Sequence, residues 1–334
     1  MRIATYNIEW FNKLFDDQDK LCPDDRWSGR YDVTRRAQSE ALGHVFSAID
    51  ADAIMIIEAP DNHRTRSSVA ALEDFAKVYG LRTSQAVTGF ANDTQQEISL
   101  LFDPAQVSAV HDPVQSDTAP RFDTEFNLDV DVDSKVDPIR FSKPPLELVL
   151  NTRKGTNVRL IGVHLKSKAP HGARNKASAT RISIENRRKQ LAQCIWLHHR
   201  VLDHAAKGDA LIVLGDLNDG PGLDEYEKLF GRSGVEIVLG EGSEGELFDP
   251  HARMAITQKM GVQPATSRFY LSDQKRYLSA LLDYIMVSSD LKAKSPIWRI
   301  WHPFDDPECY GDAELRNALL TGSDHFPVTI DLEL

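Results

Sequence analysis

The stretch LIVLGDLND, residues 211–219, decides the reading of this chain. Leu211, Ile212, Val213 and Leu214 form a short continuous apolar run. That is the pattern of a strand buried on both faces, although pattern alone does not separate it from a buried helix segment. The character then changes at once to Gly215-Asp216-Leu217-Asn218-Asp219-Gly220-Pro221-Gly222, and the closing Gly-Pro-Gly marks a turn. A carboxylate and a carboxamide two residues apart thus stand at the mouth of a buried strand. Side chains at i and i+2 of an extended segment share a direction, so Asp216 and Asn218 face one pocket on that reading. The competing reading is an Asx turn that ends the strand through local hydrogen bonds.

Outward from this stretch, apolar runs recur with helical patterns between them. Strands are expected at residues 3–8, 53–57, 97–102, 107–110, 146–152, 158–165, 281–287 and 328–332, with a hairpin turn at Lys154-Gly155-Thr156. Helices are expected at 34–49, with Thr34 as cap, at 66–79, closed by Gly80, and at 190–204 and 224–230. Residues 9–30 read as polar and turn-rich, and 235–245 as glycine-rich. Residues 112–143 are acidic, contain proline and keep no period, which suggests a long excursion, with a hairpin, over the surface or over a site. There is no internal repeat and no linker-like segment, so residues 1–334 are expected to form a single layered α/β domain.

Composition excludes several classes. No apolar run approaches the roughly 20 residues that span a bilayer. The N-terminus passes straight from Met1-Arg2-Ile3-Ala4 into a strand pattern rather than a signal peptide, so a cytoplasmic chain, read as a monomer, is expected. Cys22, Cys194 and Cys309 are odd in number and far apart, which fits incidental thiols rather than a zinc site or a disulfide scaffold. The net charge of −11 gives no general attraction for nucleic acid. HExxH, P-loop and GxSxG motifs are absent, which removes zincin, P-loop NTPase and α/β-hydrolase chemistry.

The polar residues at the ends of the expected strands form a coherent set: Asn7, Glu58, Glu97, His164, Asp216, Asn218, Asp283, Asp324 and His325. Each has a dull explanation alone, as a cap, a turn residue or a hydrogen-bonded histidine. Together they are more acids, amides and imidazoles than buried strands usually carry at their ends. Oxygen donors with few sulfur ligands suit a hard cation, magnesium or manganese, with calcium also accommodated. Histidines beside acids suit proton handling and phosphate contact.

In order along the chain, Thr5-Tyr6-Asn7-Ile8, Ile56-Ile57-Glu58, Gly162-Val163-His164-Leu165-Lys166-Ser167, Gly215-Asp216-Leu217-Asn218-Asp219, Leu282-Asp283-Tyr284-Ile285 and Ser323-Asp324-His325-Phe326-Pro327-Val328 resemble the endonuclease/exonuclease/phosphatase superfamily, the DNase I-like proteins. The resemblance covers residues 3–330. It implies an α/β/β/α sandwich of four layers, with two packed mixed sheets and a site at one edge, and metal-dependent phosphoester hydrolysis. By the same resemblance Glu58 binds the metal with Asn7 beside it, and Asp216 orients or deprotonates the attacking water. Asn218 holds a phosphate oxygen. His325, oriented by Asp324, contacts phosphate or moves a proton. His164, paired with Glu97, protonates the leaving oxygen, and Asp283 is a supporting acid.

The fold does not choose the phosphoester. The basic stretch 166–189 starts two residues after His164. It reads either as phosphate-backbone contact or as a solvated helix face. Lys166 and Lys168 favour the first reading, because the HLKSK pattern is similar to that of bacterial nucleases of the superfamily. Trp10, Phe11 and Trp27 are candidates for stacking on a base, against the alternative of core packing or loop pinning. A nuclease acting on DNA or RNA is therefore the expectation. The alternatives are hydrolysis of a phosphoinositide, sphingomyelin or other small phosphoester, and a non-catalytic binding module. The intact Glu58, Asp216, Asn218 and His325 argue against the last of these.

Overall fold

The computed structural model describes residues 1–92, 94–128, 137–169, 172–221, 231–257, 263–271 and 274–334. The helix expected over 224–230 lies outside them, as does part of the excursion. Strands β1 (Arg2–Asn7), β2 (Ala53–Ala59), β3 (Gln85–Thr88) and β4 (Glu97–Phe102) open the first sheet. The chain then enters the second sheet at β5 (Val107–His111) and makes a short hairpin, β6 (Phe126–Leu128) with β7 (Asp137–Ile139). It continues the second sheet through β8 (Leu146–Thr152), β9 (Asn157–His164) and β10 (Leu211–Asp216). A second hairpin, β11 (Ser267–Leu271) with β12 (Arg276–Ala280), leads into β13 (Asp283–Val287). Finally β14 (Ile297–Ile300) and β15 (Val328–Asp331) return to the first sheet.

The sheet orders are β14-β15-β1-β2-β4-β3 and β13-β10-β9-β8-β5. Each is mixed: β1 pairs parallel to β2 and β9 parallel to β10, while their other neighbours run antiparallel. The near-continuous apolar runs follow from burial on both faces. Ile3, Met55, Ile57 and Leu100 from the first sheet interdigitate with Leu148, Leu160, Ile212 and Ile285 from the second. Ala4, Tyr6, Ile54 and Ile56 face the other way, onto helices α1 (Arg35–Ile49) and α2 (Ser68–Tyr79) and the helix Ala313–Gly322. Ile161, Val163, Val213 and Met286 pack under α3 (Lys176–Lys207) and α4 (Gly234–Leu239). These three cores make the expected α/β/β/α sandwich.

Thr34 and Ser67 cap α1 and α2 through the Ala37 and Ala70 amides, and Gly80 ends α2 at φ +62°. Helix α3 starts fourteen residues before the expected 190, because Asn175 and Ser178 form a reciprocal capping box ahead of a first stretch that is polar and largely solvent-facing. An apolar period does not reveal such turns, whereas a cap does. The glycine-rich 235–245 likewise conceals α4, boxed by Ser233 and Glu236 and closed by Gly240. The short strands β3 and β14, the β11–β12 hairpin and the helix Ala313–Gly322 were not expected either. Among the described residues, no helix is long and apolar enough to cross a membrane. All three cysteines are free, with Cys194 and Cys309 buried.

Candidate active site

Register builds half of the site. β10 lies between β9 and β13, and Asp216 stands opposite His164 on one side and Asp283 on the other. Partners on adjacent strands share a face, so one row across three strands presents an imidazole and two carboxylates, with Asp216 in the middle. Gly215 makes this possible. Its φ is +131°, and a Cβ there would stand 2.2 Å from the Val163 carbonyl oxygen. Beyond Asp216 the chain folds back as an Asx turn, with the Asn218 amide donating to Asp216 Oδ1 at 2.7 Å and Asn218 at φ +50°. Asn218 Nδ2 also donates to Asp216 Oδ2 at 3.1 Å and to the Leu165 carbonyl. The Asx turn and the shared pocket are therefore the same feature: the turn, rather than an extended strand, brings the two side chains together.

The first sheet supplies the facing groups. Asn7 ends β1, and its Nδ2 donates to Asp216 Oδ2 at 3.0 Å across the two sheets. Glu58 sits in β2 at φ +61°, where the pairing with β4 slips between Ile57 and Ala59. A bulge of this kind re-aims a side chain, and Glu58 lines the same cleft as Asn7, His164, Asp216, Asn218, Asp324 and His325. The cleft encloses about 980 Å³.

Burial and charge set the protonation states. Glu58 and Asp216 are both pushed up to about 7, chiefly by burial. The charge of Asp283 adds to the rise at Asp216, while Lys143 and His325 oppose the rise at both. Burial alone would lower His325. The carboxylate of Asp283, whose Oδ2 accepts from His325 Nδ1 at 2.7 Å, outweighs it with help from Asp216 and Asp324 and raises His325 to about 10. His164 is held well below its usual value, first by burial and then by the Lys143 and His325 charges. The site thus pairs a cationic histidine with a neutral one.

Two expected partnerships are corrected. Asp283, rather than Asp324, orients His325; Asp283 is itself braced by the Thr266 hydroxyl at 2.8 Å. Asp324 lines the cleft, and its carbonyl accepts from the Arg268 amide. Glu97 does not pair with His164. Its carboxylate is taken by the amides of Asn62 and Asn92 and by Asn92 Nδ2 at 2.7 Å, so it shapes the loop whose Thr94 and Gln96 reach the cleft. His164 Nε2 instead meets Lys143 Nζ at 3.2 Å, Asp216 at 3.7 Å and Glu58 at 4.0 Å. Lys166 and Lys168 both line the cleft, yet the Lys168 ammonium is bonded to buried Asp219 at 2.5 Å, which also binds buried Arg187 at 2.8 Å. Of the aromatic candidates, Phe11 is core, Trp27 is exposed and Trp10 reaches the cleft.

Lys143 escaped sequence reasoning. It stands just before Pro144-Pro145, at the entry to β8, and lines the cleft. Also missed was the β11–β12 hairpin, whose Phe269, Leu271, Leu278 and Ala280 form an apolar wall of the cleft.

Oxygen donors converge here. Asp216 and Asp283 bring carboxylate oxygens within 4.8 Å of one another, beside a ring nitrogen of His325. The buried Asn7 Oδ1 and Asp283 Oδ1 have no hydrogen-bond partner. Orphaned acceptors beside acids that burial holds near pKa 7 are the chemistry a hard divalent cation satisfies.

The sequence pattern of the Endonuclease/Exonuclease/phosphatase family matches residues 4–325. This chain belongs to that family. It is a phosphoester hydrolase with the DNase I-like fold. TDP2 from Caenorhabditis elegans has a similar structure, with TM-score 0.51 and 15% identity over 99% of this chain and 73% of that one. D. rerio TDP2 humanized by 14 mutations has TM-score 0.50 and 13% identity over 100% and 99% of the two chains. D. rerio TDP2 complexed with single strand DNA product has TM-score 0.50 and 12% identity over the same shares. No curated protein sequence matches this hydrolase.

Proposed function

We propose that this family member is a divalent-metal-dependent nuclease, with residues 1–334 acting as one catalytic domain. The observation that carries the reading is the meeting, in one cleft, of an acid tuned to about 7, a histidine held cationic and the side chains of Lys143 and Lys166. The similar D. rerio TDP2 fold with its single strand DNA product is in keeping with a nucleic acid substrate.

Asp216 accepts the proton of the attacking water as its oxygen bonds to phosphorus. A base with a pKa near the working pH is best matched to that task. Asn7 and Asn218 each donate to Asp216 and fix the direction of its carboxylate. Charge spreads over the nonbridging oxygens in the transition state. His325, with Nδ1 committed to Asp283, presents its other nitrogen to them, and Asn218 adds a donor. The phosphorus–oxygen bond to the leaving group breaks, and that oxygen takes its proton from the His164–Lys143 pair, where the ammonium supplies the charge the neutral imidazole lacks. Glu58 and Asn7 Oδ1 would hold the cation, magnesium or manganese. When bound it neutralises phosphate charge and lowers the pKa of water.

Purified protein is expected to cut single-stranded DNA, RNA or plasmid with magnesium or manganese, and to stop with chelator. Asp216→Asn and His164→Ala should each lower the rate by about 100-fold or more. Hydrolysis of a phosphoinositide with no cutting of any nucleic acid would overturn the nuclease reading.

A further inference from the structure

Trp10 is a strained residue at the rim of the site. It sits three residues after Asn7, at φ +59° and ψ +27°. For a bulky side chain this left-handed conformation costs about 1–2 kcal/mol, and such outliers cluster where a ligand is gripped. Its surroundings hold the indole in place. The neighbouring Glu9 is ion-paired with Arg30. Gly29 passes against the ring at φ +120°, where a Cβ would stand 2.9 Å from Trp10 Cγ. Despite this bracing the side chain is 43% exposed and lines the cleft. Core packing therefore does not explain the residue, and loop pinning does not explain the surface it leaves open.

The cleft contains two kinds of wall. One is polar and cationic, with Lys143, Lys166 and Arg187; the other is apolar, with Trp10 and the hairpin residues Phe269, Leu271 and Leu278. Cations beside a flat apolar surface match the two halves of a nucleotide, the phosphate and the base. A quaternary ammonium headgroup fits less well, because the acid next to the indole is already neutralised by Arg30 and the side chains of Lys143 and Lys166 line the same cleft.

We propose that Trp10 is a stacking platform for an unpaired nucleobase next to the scissile phosphate, and that it makes the enzyme select single-stranded nucleic acid. This rests on the nuclease reading above. A stacking platform of this kind works through the face of its ring. A face reads no sequence but does require the base to be free of its own stack.

The test uses single-stranded oligonucleotides with one cleavable linkage, the neighbouring linkages being methylphosphonates. The base on the 5′ or 3′ side of that linkage is present or replaced by an abasic spacer. Stacking is worth about 1–3 kcal/mol per base, so wild type should prefer the base-bearing strand by about 5- to 150-fold in kcat/KM at one of the two positions, and should cut the matching duplex more slowly. Trp10→Ala should bring that preference close to unity. Trp10→Phe should keep most of it, which also shows that the loop still folds. If wild type cuts strands with and without the base equally, or cuts duplex as fast as single strand, or if Trp10→Ala keeps the preference, the platform is refuted while the nuclease reading stands. If wild type cuts no oligonucleotide but hydrolyses p-nitrophenyl phosphorylcholine, both readings fall.

Discussion

Replacing Asp283 by Asn tests the electrostatic core of the site. The change keeps the size of the side chain and removes the charge that accepts from His325 Nδ1 at 2.7 Å. His325 is raised to about 10 with that carboxylate present, against an ordinary value of 6.5. Without it, burial pulls the imidazole down against the remaining charges of Asp216 and Asp324, and the ordinary value serves as the reference. At pH 8 a histidine with pKa 6.5 is only about 3% charged, so the rate should fall by about 30-fold; at pH 6 it is about three-quarters charged and the loss shrinks to less than about twofold. The assay is kcat/KM of variant over wild type at saturating metal from pH 6 to 9, which cancels any titration the two proteins share. The Thr266 hydroxyl, which donates to Asp283 at 2.8 Å, can bond to the new amide oxygen, so the fold should survive. A loss of equal size at pH 6 and pH 8, or a variant as fast as wild type at pH 8, would show that His325 does not act as a cation held by Asp283.

Three further outcomes are expected. Glu58 and Asp216 are raised to about 7, so their contribution to stability is present below the usual carboxylate range and is lost as pH rises through 7. The melting temperature of chelated protein should fall from pH 5 to pH 8, and added manganese should raise it more at pH 8 than at pH 5; an equal gain at both would separate metal binding from these acids. Gly215→Ala forces a Cβ to within 2.2 Å of the Val163 carbonyl oxygen, and should cost about 3 kcal/mol, seen as a drop of about 4 °C in thermal unfolding. Lys143→Met removes the ammonium 3.2 Å from His164; it should lower kcat by about 100-fold and raise the His164 pKa measured by histidine NMR, because the lysine charge is one of the causes that depress it.

Much of this architecture was legible because long apolar runs and caps are local signals. The runs at 53–57 and 211–214 became β2 and β10, and Thr34 capped α1. What escaped was short or polar: β14 is only Ile297–Ile300 at a sheet edge, and α3 begins in turns without an apolar stripe. For the site, residue types at strand ends identified Asn7, Glu58, His164, Asp216, Asn218 and His325, all of which line one cleft. Their partnerships were not legible. Which acid holds His325 depends on the register of β13 against β10, and register is a long-range property. Glu97 looked equivalent to Asp283 in sequence, yet donors from two loops claimed it. Lys143 carried no periodic or motif signal and reached the cleft only through the path of a long excursion.

The row His164–Asp216–Asp283 has a bearing on how activity relates to folding. These three groups are aligned by the same hydrogen-bond ladder that holds β9, β10 and β13 together. A slip of one residue in β10 would turn Asp216 away from both partners and bury it against the wrong core. Intermediate arrangements that keep the sheet but loosen the chemistry have no place in such a ladder. Specific activity in any preparation should therefore count correctly assembled molecules, and refolding yield could be read by turnover alone.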